Sequence, residues 1–140
     1  MDGPCAIGRI VPGGHWIGFQ ADEAGYRLAV GRGAGVTLLA ADADLLLALA
    51  IAYFEEAFED PPPELEATHA DLSALVRHVA GAERDPARRR LLAEAVDAID
   101  DGLAGDAVVS RLVAARPRTP NEQVEVVDLL VDRVRSALGG

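Results

Sequence analysis

The first forty residues consist of short, mainly apolar segments separated by residues typical of turns, a pattern that predicts β-strands. Four short segments are rich in β-branched and aromatic residues: AIGRIV (6–11), HWIGFQ (15–20), YRLAV (26–30) and VTLLA (36–40). The residues between them, PGG, ADEAG and GRGAG, are typical of turns. The pattern predicts an antiparallel β meander of three to four strands.

Because successive side chains of a strand face opposite sides, the pattern also predicts two different faces for this meander. The core-facing side would hold Ile7, Val11, Ile17, Phe19, Tyr26, Leu28 and Val30. The other side would hold Ile10, Trp16, Gln20, Arg27 and Ala29, with Gly8 and Gly18 keeping the sheet flat around the indole. If this face is open to solvent, Trp16 beside Gln20 and Arg27 has the composition of a binding hot spot. The alternative is that a later helix covers the face and buries Trp16.

From residue 42 onward the apolar positions recur with helical spacing, and the pattern predicts five helices. The first spans about 42–59 and ends before PPP at 61–63, and the second spans about 63–80 and ends at Gly81 as a left-handed cap. The third begins at Asp85 and Pro86 and ends before Gly102, and the fourth spans about 106–116 and ends near Pro117. The fifth begins with a capping box formed by Thr119, Pro120 and Glu122.

The chain is therefore expected to have an α+β fold in a single domain, residues 1–140. Residues 1–41 would form the β meander and residues 42–140 a bundle of about five α-helices. The apolar positions of the last helix cover more than one stripe, which predicts either burial between other helices or a homodimer interface. These positions are Val124, Val126, Val127, Leu129, Leu130, Val131, Val134 and Leu138.

Charge is distributed very unevenly along the chain, which has a formal net charge of −10. Residues 42–76 contain nine acidic residues and no basic one, whereas residues 1–41 are neutral and residues 77–140 carry −1. An acidic surface repels nucleic-acid phosphate and anionic lipid and attracts basic protein surfaces. We therefore expect neither nucleic-acid binding nor membrane binding, and we expect a protein partner with a basic surface.

Other features of the composition indicate the cellular compartment and exclude some reaction mechanisms. The apolar run LLLALAIAYF at 45–54 is too short to cross a bilayer, and no secretory signal opens the chain, so we expect a cytoplasmic protein. The single Cys5 forms no internal disulfide. All thirteen basic residues are arginine, which excludes mechanisms that need a Schiff-base or phosphate-loop lysine.

No motif predicts a catalytic or metal site. Glu66 and His69 form one Glu-x-x-His pair, but a di-iron bundle needs a second pair, which the sequence lacks. The three serines, Ser73, Ser110 and Ser136, all fall inside predicted helices, and Cys5 with His15 is the one thiol and imidazole pair that a hairpin can bring together. GRGAG at 31–35 is followed by a strand, which favours a turn over a nucleotide loop.

Two further features have a structural and a functional interpretation. Arg84 and RRR at 88–90 can hold a phosphate or an acidic segment, but pairing with the acids at 42–71 of the same chain is the favoured interpretation. The ending ALGG resembles diglycine tails that are activated for conjugation, although a glycine after a helix is ordinary capping.

The sequence favours a non-catalytic, acidic protein-interaction module without a cofactor, such as an inhibitor, an immunity-type protein or a regulatory subunit. It would dock its partner through an acidic ridge within residues 42–71, through the Trp16 face, or through both. The partner-binding residues would be Trp16, Gln20, Arg27, Glu55, Glu56, Glu59, Asp60, Glu64 and Glu66. One alternative is a small ligand-binding protein or enzyme with a pocket between sheet and first helix, lined by Tyr26, Tyr53, His15 and His69. Another is a structural homo-oligomer built on the last helix.

Overall fold

The N-terminal part of the chain is a four-stranded antiparallel sheet. The computed structural model describes residues 3–10, 14–23, 25–32, 35–115 and 122–137, with side chains from residue 128 onward in the last range. The strands are β1 (Cys5–Ile10), β2 (His15–Asp22), β3 (Gly25–Arg32) and β4 (Gly35–Ala40). They lie in the order β1-β2-β3-β4, so each strand pairs with its neighbour in sequence. The predicted meander is confirmed.

Five helices follow the sheet, so the α+β fold is confirmed as well. They are α1 (Ala43–Phe54), α2 (His69–Ala82), α3 (Pro86–Asp100), α4 (Gly105–Ala114) and α5 (Glu122–Ala137). Helix α1 is the central element and contacts α2, α4, α5 and β1. Its residues 45–52 are all buried, which explains why it is apolar on every side.

The core-facing side of the sheet follows the predicted alternation, except where β1 contains a bulge. Ile17, Phe19, Leu28 and Val30 are all buried in the main core. In β1, however, Ala6 pairs with Gly18 and Gly8 already pairs with Ile17, so one extra residue is inserted between them. The bulge reverses the alternation beyond it. Ile10 therefore packs against the core rather than beside Trp16, and its predicted position is wrong.

Helix α1 ends earlier than predicted because the backbone turns left-handed at Glu56. The Ala57 N–H donates to the Ala52 carbonyl at 3.0 Å and the Glu56 N–H donates to the Tyr53 carbonyl at 3.2 Å. These two bonds form a Schellman motif, with Glu56 at φ +53° in the position that usually holds glycine. The helix thus stops at Phe54, and the predicted extension to residue 59 is wrong.

Helix α2 begins later than predicted, at a capping box. The Asp71 N–H donates to the Thr68 hydroxyl, and the Asp71 carboxylate accepts from the Thr68 N–H. Residues 63–65 form a separate 3-10 turn, and the helix continues through Gly81 to Ala82. Both the predicted start at residue 63 and the predicted cap at Gly81 are therefore wrong.

The third helix was predicted correctly at both ends. Asp85 caps α3 by accepting from the Arg88 N–H at 3.0 Å, Pro86 occupies its first turn, and Gly102 follows its end at φ +71°. Several other predicted features concern residues outside the described part of the chain. These are Val11, Pro117, Thr119, Pro120 and Leu138, together with the side chains of Glu122, Val124, Val126 and Val127.

In the described turns of α5, part of the apolar surface packs against the core of the same chain. Leu130 and Val134 are buried in the main core, and α5 packs against α1. Asp128, Asp132 and Arg135 on the same turns are exposed. In the described part of the chain, none of the helices has the length and apolar character needed to span a membrane.

Candidate functional site: an acidic pocket beside the first strand

Trp16 does not offer a free binding surface on the outer face of the sheet. Its side chain is 2% exposed and lies in a small cluster with Ala6 and Ala29, against which Leu65 packs. The indole lies so close to Gly31 that a Cβ atom there would be 2.2 Å from Trp16 Cε2. Of the two alternatives for Trp16, burial is therefore correct, although the cover includes the 3-10 turn at 63–65 rather than a helix. The partner-binding role assigned to Trp16 loses its basis.

The two other residues assigned to this face remain accessible in part. Gln20 is half-buried and Arg27 is exposed. Arg27 forms an ion pair with Asp22 across the turn between β2 and β3. The Arg27 charge is thus compensated within the hairpin, and the sheet face lacks the exposed aromatic anchor that made it a candidate.

Residues 55–68 connect α1 to α2, and we refer to them as the connecting segment. Its backbone runs along the outer edge of β1: the Arg9 N–H donates to the Glu59 carbonyl at 2.8 Å, and the Glu59 N–H donates back at 3.2 Å. Further along, the Ala67 N–H donates to the Ala6 carbonyl at 2.9 Å. These bonds fix the connecting segment to the sheet at residues 59 and 67.

Most predicted carboxylates of the acidic ridge lie on the connecting segment and face solvent. Five of them are exposed: Glu56, Glu59, Asp60, Glu64 and Glu66. The sixth, Glu55, is half-buried. The structure therefore groups these predicted side chains on one segment, whereas Arg27 lies on β3.

Four of these carboxylates line a pocket, which we call the acidic pocket. It has a volume of about 400 Å³ and lies where the end of α1, the connecting segment and the start of α4 meet. Its lining comprises Ile7, Tyr53, Phe54, Glu56, Phe58, Glu59, Asp60, Pro61, Glu66, His69, Leu103 and Gly105. No arginine is among these residues. The pocket thus combines a carboxylate rim with a wall of aromatic rings.

The aromatic wall is a cluster of three rings. The ring centroids of Tyr53 and Phe54 are 4.8 Å apart, and those of Phe54 and His69 are 5.4 Å apart. The third pair, Tyr53 and His69, is separated by 5.8 Å with nearly perpendicular planes. Two of the three pairs pack edge to face and the Phe54–His69 pair is tilted, so the rings support one another in the pocket wall.

Tyr53 is a neutral hydrogen-bond donor at this site. Its hydroxyl donates to the Ala67 carbonyl at 3.4 Å. Burial raises the pKa of the Tyr53 phenol above 10.0, and the negative charges of Glu66 and Asp71 raise this pKa further. The phenol therefore stays protonated at neutral pH and does not act as an anionic nucleophile.

Only two of the four residues predicted to line a pocket between the sheet and α1 come together, and they do so at a different place. Tyr53 and His69 do lie together, at the C-terminal end of α1. Tyr26 instead contacts Phe19 and His78, with ring centroids 5.9 and 5.0 Å away. The sequence pattern also missed Phe58, whose Cβ packs so closely on β1 that a Cβ at Gly8 would lie 2.5 Å from it.

The other candidate catalytic and metal-binding residues either lie apart from one another or have structural roles. Within the described ranges, no group of three or more histidine, cysteine, aspartate or glutamate residues is arranged to hold a metal ion. Cys5 pairs with Phe19 and His15 pairs with Ile10, so the thiol and the imidazole lie at opposite ends of the β1–β2 pair. The Ser73 hydroxyl donates to Asp100 at 2.6 Å and links α2 to α3.

The arginines of α3 pair locally rather than with the acids at 42–71. Arg88 lies 3.7 Å from Glu83 and 3.6 Å from Asp85, and Arg89 donates to the Glu83 carbonyl. The predicted partners of this basic cluster are therefore wrong. The acids just before the helix pair with Arg88, and none of these arginines lines the acidic pocket.

The acidic pocket is the arrangement of described residues best suited to a ligand. Carboxylates attract guanidinium and ammonium groups, and aromatic faces add cation–π attraction to the same groups. Comparisons of the chain with protein-family models, with curated proteins and with solved structures found no match. The functional argument therefore depends on the site itself.

Proposed function

We propose that the protein is a non-catalytic interaction module that binds a basic protein partner at the acidic pocket. The observation that carries this proposal is that four exposed carboxylates surround a concave site whose wall is aromatic. An arginine or lysine side chain of the partner enters the pocket, with its charge between the carboxylates and its stem against the rings. An inhibitor, an immunity-type protein and a regulatory subunit all fit this description.

The charge distribution supports this proposal. Residues 42–76 contain nine acids and no base. Within the described part of the chain, the ion pairs involve Arg27, Arg77 and Arg88, and their acidic partners all lie outside the pocket. Arg9 lies close to Glu56 and Glu59 and offsets part of their charge. A basic partner supplies the rest, and it is also steered to the site from a distance.

A second candidate ligand is a small organic cation, which the size of the pocket favours. About 400 Å³ is within the range of small-molecule sites. The protein partner remains the first choice because Glu64 carries the acidic surface beyond the pocket, where a small molecule does not reach. A cytoplasmic setting belongs to the same proposal, since the single cysteine forms no internal disulfide.

The experiment is a calorimetric titration with an arginine-rich peptide, with free arginine and with a glutamate-rich peptide of equal length. The variant Glu59→Gln/Glu66→Gln removes two charges from the pocket. Its matched control, Glu94→Gln/Asp97→Asn, removes two exposed charges from α3. We expect the pocket variant to bind the arginine-rich peptide roughly tenfold more weakly and the control to bind within about twofold of wild type.

Other outcomes separate the candidates. Equal weakening by both double variants would mean unspecific attraction to a negative protein, and would overturn the site. Free arginine binding as tightly as the peptide would favour a small cation. If Tyr53→Leu binds the peptide with unchanged affinity, the aromatic wall does not contribute to binding.

A further inference from the structure

The two edges of the sheet are protected very differently. β1 contains the bulge between Ala6 and Gly8, and the connecting segment pairs with its outer edge through Glu59 and Ala67. At the opposite edge, β4 pairs with β3, and no other described segment pairs with it. Alternate residues of an antiparallel edge strand direct their N–H and C=O groups away from the sheet. β4 therefore presents unpaired backbone groups.

The composition of β4 makes this edge unusual. Natural edge strands are protected by charges, proline or bulges, and the sequence of β4, GVTLLA, has neither a charge nor a proline. Val36 is 44% exposed and Leu38 is 40% exposed on the outer face. Thr37 is exposed on the opposite face, so both sides of the strand reach solvent.

We propose that β4 pairs antiparallel with β4 of a second copy of this chain, so that two sheets join into one of eight strands. Such pairing satisfies the free backbone groups of both edges. It also places the apolar row formed by Val36, Leu38 and Ala40 against the same row of the other copy. This surface does not involve the acidic pocket, and the inference goes beyond the proposed function.

The charges that flank β4 favour a second copy as the occupant. Exposed Arg32 pairs with Gly35 at one end of the strand, and exposed Asp42 follows its other end. Arg32 lies on β3, one strand in from the edge, and Asp42 also caps α1. In an antiparallel pair, the Arg32 end of one copy faces the Asp42 end of the other, so opposite charges lie near each other at both ends of the seam. β4 carries no charge, although the chain has a net charge of −10. Pairing through β4 therefore keeps the acidic ridges of the two copies out of the contact.

The same geometry limits the assembly to two copies. A two-fold axis uses the β4 edge of each copy once. The other edge of each sheet is already occupied by the connecting segment. The expected product is therefore a closed dimer rather than a filament.

The experiment is sedimentation equilibrium of the full chain over a wide concentration range. We expect wild type to pass from a mass of 14.7 kDa to twice this value as the concentration rises. Leu38→Glu and Leu38→Lys each place two like charges in the seam and should weaken the dimer roughly tenfold or more. The control Ala93→Glu adds the same charge at an exposed position of α3 that lies outside both β4 and the acidic pocket, and it should dimerise as wild type.

A second measurement does not depend on any variant. Amide hydrogen exchange of wild type should show protection of alternate residues of β4 that increases with protein concentration. The proposal is overturned if wild type stays monomeric, if both Leu38 variants dimerise as wild type, or if species larger than a dimer dominate. Equal weakening by Leu38→Glu and Ala93→Glu would overturn it too, because total charge rather than the edge would then control association.

Discussion

At the scale of single residues, Trp16 and Gly31 fit closely against each other. The two residues are directly paired across β2 and β3, and the indole occupies the space that a side chain at position 31 would need. Within the described chain, Trp16 Nε1 is buried and has no hydrogen-bond partner. The indole is therefore held by packing alone.

Substitution of Gly31 should displace the indole. We expect Gly31→Ala to lower the free energy of unfolding by about 1–3 kcal/mol, because an added methyl group overpacks a filled site. Trp16 fluorescence should shift to the red as the indole becomes exposed. The matched control is Gly35→Ala in the next strand, where the nearest atom to a Cβ is 3.7 Å away. Equal losses in both variants would mean that strand propensity, and not the indole, is responsible.

The half-buried phenol of Tyr53 predicts an alkaline limit to stability. Its pKa is raised above 10.0 by burial and then by Glu66 and Asp71, so the folded state holds the proton more tightly than the unfolded state. This contribution is fully present below pH 10 and is lost as the pH rises through the raised folded-state pKa. The midpoint of urea unfolding should fall over that range, and less steeply in Tyr53→Phe. Unchanged pH dependence in Tyr53→Phe would assign the effect to other groups.

At the scale of elements, two helices end in the same motif with different residues. Helix α3 ends at Gly102, whose N–H donates to the Ile99 carbonyl while the Leu103 N–H donates to Ala98. Helix α1 has the same pair of bonds around Glu56. Both residues have positive φ, which costs an L-residue such as glutamate conformational energy that glycine avoids.

Glu56→Gly is therefore expected to raise the free energy of unfolding by up to about 1 kcal/mol, measured by thermal or urea denaturation. The reverse comparison, Gly102→Ala, should lower it by about 1 kcal/mol. Because Glu56 also lines the acidic pocket, the first variant should bind the arginine-rich peptide more weakly while it is more stable. A loss of both stability and binding would mean that Glu56 supports the fold itself.

Element boundaries show which parts of the fold the sequence could predict. Asp85 and Pro86 gave a correct start for α3, since a cap followed by proline is a local signal. The end of α1 was missed because a glutamate occupies the left-handed position, where only glycine is a recognisable pattern. The bulge in β1 was missed for another reason. The register of a strand depends on its pairing with the neighbouring strand, and the alternation of residues within one strand does not reveal it. The bulge moved Ile10 to the core side.

At the scale of the whole molecule, the segregated charge should weaken the isolated fold. Like charges on the connecting segment repel one another at low salt. We expect Asp60→Asn/Glu64→Gln to raise the free energy of unfolding by roughly 0.5 kcal/mol at low ionic strength and to have little effect at physiological salt. Urea denaturation at the two salt concentrations measures this, with Glu94→Gln/Asp97→Asn as control. A gain that persists at high salt would point to a cause other than charge.

The candidate site was predictable in its charge but not in its shape. Counting acids along the chain was enough to identify Glu59 and Glu66, because charge is a property of composition. The aromatic wall was not predictable, since it depends on contacts between α1, the connecting segment and α2. The exposure of Trp16 was undecided for the same reason: Leu65, which helps to cover it, is far away in sequence.

The attachment of the connecting segment to β1 has a consequence for the kinetics and entropy of binding. A loop that carries binding groups usually loses conformational freedom when its partner arrives, and that loss subtracts from affinity. Here the backbone bonds at Glu59 and Ala67 have already restricted the segment during folding. The backbone that carries the carboxylates is thus preorganised. The proposed binding should therefore restrict mainly side chains, with little backbone rearrangement between the free and bound forms.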